Sequence, residues 1–306
     1  MVEREEGTTE LAAVLVAVSD NEAKVLTVEK GTFLPSGPLT PIHSSLQAGV
    51  REWVEKQTHQ PLGYVEQLYT FVDTHRTTSK GHFLIYIGYL GLVREEVELI
   101  DFQAKWKSWY LYFPWEDHRQ GRPDWIDTHF IPPLLAWAER APNAQEKRRR
   151  HQRINMCWGL DGFEWNEEYV LQRYELLYEV GFVPESPTFN DKLAPPHYVG
   201  AMMKHDHRRV VASGIARLRA KIKYRPVIFE LMPPEFTLLQ LQQSIEALAG
   251  IILHKQNFRR MIINQDLIEE TGELDAKGPG RPAKLYRFKP DILLERSLSG
   301  SKLPVQ

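Results

Sequence analysis

The chain has 306 residues, enough to bury a sizeable core and to form two domains. Its 38 basic and 40 acidic residues leave a net charge of -2, so total charge indicates neither nucleic acid nor a membrane surface as a partner. The single cysteine, Cys157, excludes an intramolecular disulfide, and no apolar run reaches the ~20 residues that span a bilayer, so we expect a cytoplasmic protein without a membrane segment.

The first hundred residues carry four strand-like runs. Residues 11–18, LAAVLVAV, predict a buried strand, and after the turn SDNEA the run KVLTVE predicts its partner. The runs VEQLYTFVDT and HFLIYIGYLGLV are rich in β-branched and aromatic residues, which is typical of strands. Because a helix lies between the two pairs, we expect an α+β or α/β domain.

That helix is predicted within GPLTPIHSSLQAGVREWVEKQTH, residues 37–59. Ser44 and Gln47 have the spacing of a capping box, so the helix is expected to begin there. Its apolar stripe consists of Leu46, Val50, Trp53 and Val54.

The middle of the chain, residues 101–200, combines an aromatic, loop-like stretch with three helical patterns. The stretch is WKSWYLYFPWEDHRQGRPDW, and the helical patterns are PPLLAWAERA, NAQEKRRRHQRINMCWGL and WNEEYVLQRYELLYEVGF. The proline-rich PESPTFNDKLAPPHYVG indicates a loop or boundary. We expect the basic run at 147–153 to be a solvated helix face, with a phosphate-binding patch as the alternative.

Charge changes sharply after residue 203. Between Lys204 and Arg225 the chain holds eight basic residues and one acid, Asp206, in the helical pattern DHRRVVASGIARLRAKI. This pattern predicts a basic linker helix, which divides the chain into residues 1–203, 204–225 and 226–306. The pair His205 and His207 would point apart on a helix and has no further ligand nearby, so we expect no metal there.

Residues 236–272 predict a helix-turn-helix. Thr237 and Gln240 form a capping box, Phe236 and Leu241 a hydrophobic staple, and Gly250 a C-terminal stop. A second helix is expected from about His254, with an inner face of Phe258, Met261 and Ile262. In this motif the second helix enters the DNA major groove.

The side chains available to DNA lie on the second helix and on the hairpin after it. LIEETGELDAKGPGRPAKLYRF predicts a wing whose tip carries Lys277, Arg281 and Lys284. The predicted DNA-binding residues are Thr237, Gln240, Lys255, Gln256, Asn257, Arg259, Arg260, Arg281 and Lys284. The alternatives are a basic helical pair on a solvated face and a winged helix that binds protein.

The helix at 37–59 resembles the Nudix box, G-x5-E-x7-R-E-U-x-E-E-x-G-U. Its matching residues are Gly37, Arg51, Glu52, Trp53 and Glu55, and its departures are His43, Lys56 and Thr58. The family's glutamates hold magnesium or manganese, for which clustered carboxylates are needed. Because Lys56 follows Glu52 at i,i+4, we expect a surface ion pair where the family has a metal cage. The alternative is an ordinary amphipathic helix.

The whole chain resembles the longer variant of the Nudix-related transcriptional regulators of NAD biosynthesis. The segments that carry the resemblance include SLQAGVREWVEKQTHQPLGYVEQLYTF, DHRRVVASGIARLRAKIKYRPVIFELMPPEFTLLQLQ, NFRR and GRPAKLYRF. It implies an α+β protein, a Nudix-like α/β/α sandwich followed by a winged helix-turn-helix. It also implies a homodimeric repressor that binds palindromic operator DNA, requires no cofactor, and responds to NAD or ADP-ribose.

A catalytically inactive sensing domain would keep its nucleotide pocket. The candidate effector-binding residues are Gly37, Arg51, Asp73, Arg76 and Tyr86. An arginine can hold a diphosphate and an aromatic ring can stack on a base. Equally, Tyr86 fits a core position and Asp73 to Arg76 an ordinary turn. The alternative function is an active Nudix pyrophosphohydrolase with an accessory winged helix.

Overall fold

The structure is a computed structural model that describes residues 8–60, 62–63, 65–73, 84–95, 104–224, 228–275 and 282–290. The strands in these ranges are β1 (Thr8–Ser19), β2 (Glu22–Thr27), β3 (Ser36–Pro38), β4 (Val65–Asp73), β5 (Leu84–Leu92), β6 (Lys105–Ser108), β7 (Phe236–Thr237), β8 (Ile268–Asp275) and β9 (Ala283–Phe288). The helices are α1 (Leu46–Thr58), α2 (Ile131–Glu139), α3 (Ala144–Trp158), α4 (Val170–Val180), α5 (Pro196–Val199), α6 (His207–Tyr224), α7 (Leu238–Ala249) and α8 (Lys255–Asn264).

The larger sheet has the order β4-β5-β1-β2-β6, with β3 paired to β1. β1 and β5 are parallel, and the other pairs are antiparallel. The predicted β1–β2 hairpin is confirmed, and its turn residues Asp20 and Asn21 both have positive φ, as a two-residue hairpin turn needs. The short strands β3 and β6 were not predicted from the sequence.

Alternation along β1 separates two cores. Leu11, Ala13 and Leu15 belong to the core that includes Val50 and Val54 of α1. Even-numbered residues of the same strand belong to the core on the other side of the sheet, which also includes residues of α6 and α7. The sheet therefore lies between helical layers, which confirms the α/β/α sandwich and the α+β class.

Helix α6 packs in the core of the sandwich and also leads, along the chain, from the Nudix-like domain to the winged helix. Glycines permit its close approach to the sheet: a Cβ on Gly214 would lie 3.0 Å from Val14, and one on Gly88 would lie 2.9 Å from Val210. The predicted boundary between linker and winged helix falls at residues 225–227, outside the described residues. None of the helices in the described ranges has both the length and the apolar content needed to cross a membrane.

From residue 104 onward the middle segment forms β6, two short 3-10 turns, a π-helical turn at Ile126–Phe130 and the helices α2, α3, α4 and α5. Its aromatic residues are core: Trp109, Trp115 and Trp158 have no exposed surface. The third helical pattern begins at Val170 rather than at Trp165, because residues before it form turns.

The cap of α1 differs from the prediction by one residue. Ser45 is the N-cap and its hydroxyl accepts a hydrogen bond from the Ala48 N–H at 3.1 Å. The Ser44 and Gln47 prediction was therefore wrong, because consecutive serines make the register of a cap ambiguous in sequence.

Candidate nucleic-acid interface and sensing domain

The first helix of the helix-turn-helix, α7, begins and ends as the sequence predicts. The Thr237 hydroxyl accepts from the Gln240 N–H at 3.2 Å, and the Gln240 carboxamide oxygen accepts from the Thr237 N–H at 2.7 Å. Gly250 ends the helix in the left-handed conformation at φ 72°. Thr237 and Gln240 therefore use these polar atoms in the cap, which fixes where the helix starts.

A buried carboxylate shapes the turn between α7 and α8. The Leu253 N–H donates to Glu246 Oε1 at 2.9 Å, and Gln242 donates to the same oxygen at 2.8 Å and to the Leu253 carbonyl at 3.0 Å. These bonds hold the second helix at a fixed angle to the first. Sequence reasoning missed Gln242 and Glu246; a buried face with two polar residues four apart was the available signal.

The recognition helix α8 begins at N-cap His254, whose side chain makes no capping hydrogen bond. Phe258 and Ile262 are buried, as predicted for the inner face. The exposed residues include all five predicted DNA readers, Lys255, Gln256, Asn257, Arg259 and Arg260. In the part of the chain that the structure describes, no acidic side chain pairs with the three cations among them.

The wing is the antiparallel pair β8–β9, with a register shift between Glu270 and Leu274. Lys284 Nζ donates to both carboxylate oxygens of Glu270 at 2.9 Å, which raises the pKa of the lysine. Arg287 Nε donates to Glu269 at 2.7 Å. The predicted tip residues Lys277 and Arg281 lie outside the described residues.

The three elements of the winged helix enclose a cleft of about 550 Å³. The start of α7, the start of α8 and the wing each contribute side chains, among them Thr237, Leu239, Lys255, Arg259, Leu274 and Lys284. Cationic side chains and exposed leucines therefore line the same concave surface. A polyanion is the class of ligand whose charge matches it.

The basic residues of α6 and most of those of α3, by contrast, are paired with acids of the same chain. Those of α6 pair with acids brought from other elements: Arg208–Glu185, Arg209–Glu175, Arg217–Glu66, Arg219–Glu116, Lys221–Glu66 and Lys223–Glu168. In the run at 147–153, Lys147, Arg150 and Arg153 likewise have acidic partners. The charge of α6 is thus used in folding, whereas that of α8 remains available.

A fully buried ionic triad joins the middle segment to α6. Glu116 accepts from Arg173 at 2.6 and 2.8 Å and from Arg219 at 2.7 Å, and all three side chains are 0% exposed. Burial alone would raise the pKa of Glu116, but the charges of Arg173 and Arg219 outweigh it and hold the pKa below its usual range.

The same region holds the C-terminal end of α7. The Tyr110 hydroxyl donates to the Ala247 carbonyl at 2.6 Å, and Arg219 Nε donates to the Leu248 carbonyl at 3.0 Å. These carbonyls belong to the last turn of the helix, which lacks intrahelical partners for them. The winged helix is therefore anchored by polar contacts from α6 and the middle segment.

In the Nudix-like domain, two predicted effector residues have structural contacts. A Cβ on Gly37 would lie 2.2 Å from the Trp53 ring, whose Nε1 donates to the Pro38 carbonyl at 3.1 Å. Arg51 Nη1 donates to the Leu62 carbonyl. Gly37 thus admits the indole, and Arg51 fixes the loop after α1.

The residues at the degenerate box do not fit a divalent cation. The His43 side chain is 1% exposed, its Nδ1 accepts from the Thr40 N–H at 3.1 Å, and its Nε2 lies 3.4 Å from Glu52. Lys56 Nζ lies 5.1 Å from the centroid of the Trp53 ring. The predicted Glu52–Lys56 ion pair was wrong, because Lys56 turns to the indole and His43 faces Glu52. Within the described ranges, no three His, Cys, Asp or Glu side chains are grouped as a metal site requires.

The remaining predicted effector residues are Asp73, Arg76 and Tyr86. Asp73 ends β4, and Arg76 lies outside the described residues. Tyr86 is fully buried, with its ring edge-to-face to His207 at 5.6 Å between centroids. Nearby, burial raises the pKa of the Glu10 carboxyl, although the charge of His205 and the Tyr86 hydroxyl oppose this.

The two histidines at the start of α6 differ in structure. His205 precedes the helix, with a left-handed backbone at φ 55°, which corrects the prediction that both lie on it. His207 Nδ1 accepts from the Leu34 N–H at 2.8 Å. His207 thus ties the first turn of α6 to the loop before β3.

Known proteins resemble this chain in its winged helix and in its fold. Residues 228–288 match the family model described as the NrtR DNA-binding winged helix domain. The ADPR responsive transcriptional repressor NtrR of Acinetobacter baylyi is 42% identical over 83 residues, which are 27% of this chain and 33% of the relative. The matched part thus spans about a third of that relative's length.

Two crystal structures share the fold over most of the chain. Shewanella oneidensis NrtR complexed with a 27mer DNA has a TM-score of 0.55 at 21% identity, covering 93% of this chain and 94% of that one. A MutT/nudix family protein from Enterococcus faecalis has a TM-score of 0.53 at 16% identity, covering 94% and 89%. Residues 228–288 therefore match the NrtR DNA-binding winged helix domain model, and the chain as a whole shares the fold of these structures, a Nudix-like domain followed by a winged helix.

Proposed function

We propose that this chain is a DNA-binding transcriptional repressor of NAD-biosynthesis genes, which senses an NAD-related nucleotide through a Nudix-like domain that does not hydrolyse it. The observation that supports DNA binding most directly is on α8, where Lys255, Arg259 and Arg260 are exposed without acidic partners among the described residues. The Acinetobacter baylyi relative is described as ADPR responsive, which supports ADP-ribose as the effector, with NAD as the second candidate.

The proposed assembly is a homodimer on a palindromic operator. One α8 reads one short half-site, and a two-fold pair of helices reads two half-sites separated by about one helical turn or a multiple of it. Symmetry in the protein then requires symmetry in the operator. Sedimentation of the protein with and without DNA measures this stoichiometry, and one chain per duplex would contradict it.

The DNA-binding part is tested by the salt dependence of binding to a duplex recovered by in vitro selection. Alanine at Arg259, Arg260 and Arg281 should weaken binding to all sequences and flatten the salt slope by about one unit for each phosphate that is no longer neutralised. The matched control is Arg148→Ala, which changes an exposed arginine of α3. Unchanged binding by the triple variant would refute the assignment of the recognition helix. A wild-type chain without salt-dependent DNA affinity would favour a protein-binding winged helix.

The residues at the degenerate box support the absence of hydrolysis, because they are poor ligands for a divalent cation. His43 faces Glu52, and Lys56 brings an ammonium group to the turn where a metal-binding helix needs a carboxylate. The test is incubation with ADP-ribose or NAD and magnesium or manganese. Turnover of about 1 per second or more would favour the alternative, an active pyrophosphohydrolase with an accessory winged helix.

We propose that the effector binds in the Nudix-like domain, with Gly37, Arg51, Asp73, Arg76 and Tyr86 as the candidate contact residues. An arginine that holds a diphosphate makes charge-assisted hydrogen bonds, so Arg76→Ala should weaken ADP-ribose binding about tenfold or more. Calorimetry with the full chain measures this. Tyr86→Phe keeps the ring and removes its hydroxyl, and Tyr69→Phe, at an exposed tyrosine of β4, is its control. Wild-type affinity in the Arg76 variant would remove that residue from the site.

Helix α6 is the proposed route from effector to DNA. Its first residue, His207, is bonded to the Leu34 N–H, and Arg219 near its other end is bonded to the Leu248 carbonyl of α7. A shift at the first contact is thereby passed to the base of the winged helix. Useful control requires a coupling free energy of about 1–3 kcal/mol, or 5–150-fold in affinity.

A further inference from the structure

The winged-helix cleft contains two large apolar side chains that are more than half exposed. Leu239 of α7 is 53% exposed and Leu274 of β8 is 58% exposed, and both line the cleft beside Lys255, Arg259 and Lys284. The exposed leucines therefore lie among the cations of a concave surface. Such a surface is matched by a ligand that alternates negative charge with apolar faces.

We propose that this cleft holds one sugar–phosphate strand of the DNA, with Leu239 and Leu274 against deoxyribose faces and Lys255, Arg259 and Lys284 on the flanking phosphates. The proposal rests on the proposed DNA-binding function and adds which part of the DNA enters the cleft. Along a strand the phosphates carry the charge, and the sugars between them present carbon and hydrogen. The composition of the cleft matches that alternation.

The position of the cleft also favours a backbone strand over base edges. It lies between the first turn of α8, which approaches the major groove, and the wing, which suits phosphates or the minor groove. The boundary between two neighbouring grooves of a duplex is a sugar–phosphate strand. The start of α7 also faces this space and adds the positive end of a helix dipole.

In the DNA-free chain Lys284 is paired with an exposed carboxylate that a phosphate could replace. Its ammonium is bonded to Glu270, and the two side chains are 61% and 49% exposed. An exposed ion pair contributes little stability, so a phosphate with its own negative charge replaces the carboxylate at small cost. The lysine is therefore available to the strand.

The test measures affinity and salt slope together, using the full chain, a selected duplex and a random-sequence duplex of the same length. Leu239→Ala and Leu274→Ala should each weaken binding about tenfold on both duplexes, as expected for losing part of a buried leucine. Their salt slopes should stay at the wild-type value, because an apolar contact releases no counterion. Lys284→Ala should instead flatten the slope by about one unit. Leu111→Ala is the matched control, at a leucine of the middle segment that is 48% exposed.

Three results would overturn the proposal. Wild-type affinity in both leucine variants would show that the leucines touch no DNA, while intact wild-type binding would leave the proposed function standing. A loss confined to the selected duplex, and reproduced in wild type by replacing thymine with uracil, would assign the leucines to thymine methyl groups. Failure of the wild-type chain to bind either duplex would overturn the proposed function together with this inference.

Discussion

Replacing Glu116 with glutamine would leave two buried guanidinium groups facing a neutral amide. Arg173 and Arg219 both donate to this carboxylate, and no part of any of the three side chains is exposed. Removing one partner from a buried ion pair costs about 3–5 kcal/mol, because the remaining charge is left uncompensated. A typical domain has only about 5–15 kcal/mol of net stability. We therefore expect Glu116→Gln to lose a large fraction of the free energy of unfolding.

The effect should depend on pH with a definite sign. The paired arginines hold the pKa of Glu116 in the folded state below 4.5, although burial alone would raise it. A carboxyl whose folded pKa is depressed contributes stability above its unfolded pKa, and loses it as pH falls through the folded value. The difference between wild type and variant should therefore be full at pH 7 and should shrink below about pH 4.5.

Urea denaturation of the full chain at pH 7 and at progressively lower pH measures both effects. The control is Glu139→Gln, at a carboxylate that is 53% exposed and pairs with Lys147 and His151, where we expect a much smaller loss because solvent screens an exposed ion pair. If Glu116→Gln is no less stable than this control at pH 7, the buried charge is not needed and the reasoning fails. DNA affinity should also fall in Glu116→Gln, because Arg219 holds the last turn of α7.

Other changes test separate parts of the structure. Gly250→Ala should lower the melting temperature, since left-handed backbone costs a residue with a Cβ about 1–2 kcal/mol and that Cβ would lie 2.4 Å from a carbonyl oxygen; unchanged melting would refute this. His43→Glu with Lys56→Glu should bind Mn²⁺ in calorimetry without gaining hydrolysis. Gln256→Ala should cost ~1–3 kcal/mol at one base position in a competition assay over single-base variants. ADP-ribose affinity should change when operator DNA is bound, by the factor with which ADP-ribose changes DNA affinity; equal nucleotide affinities with and without DNA would exclude sensing.

The winged helix was predictable because its signals are local. The capping box of Thr237 and Gln240, the stop at Gly250 and the inner face of α8 all lie within a few residues of the features that they determine. The hydrogen bond from the Leu253 N–H to Glu246, which stabilises the turn between α7 and α8, was not predicted, because it forms only when the two helices are packed together.

Whether a basic residue is paired within the fold or left exposed for a ligand was the property least predictable from the sequence. Residues 204–225 and α8 look alike in sequence, since both are basic and helical. Their difference comes from residues far along the chain: Glu116 reaches Arg219 across 103 positions, and Glu66 reaches Lys221 across 155. The same limitation applies to Lys56, whose turn toward Trp53 rather than Glu52 depends on how the loop around Gly37 admits the indole.

The anchoring of α7 bears on how such proteins can be recombined. This helix packs against β1 and β2, and Tyr110 and Arg219 bond its last carbonyls. A gene fusion cut at residue 225 would keep these donors, but the incoming first helix would have to fit the surface that β1, β2 and α6 present to α7, and a poor fit would expose apolar surface on both pieces. Exchange of DNA specificity between homologues should therefore succeed by grafting α8 and the wing onto a resident α7, and should fail when whole winged helices are swapped.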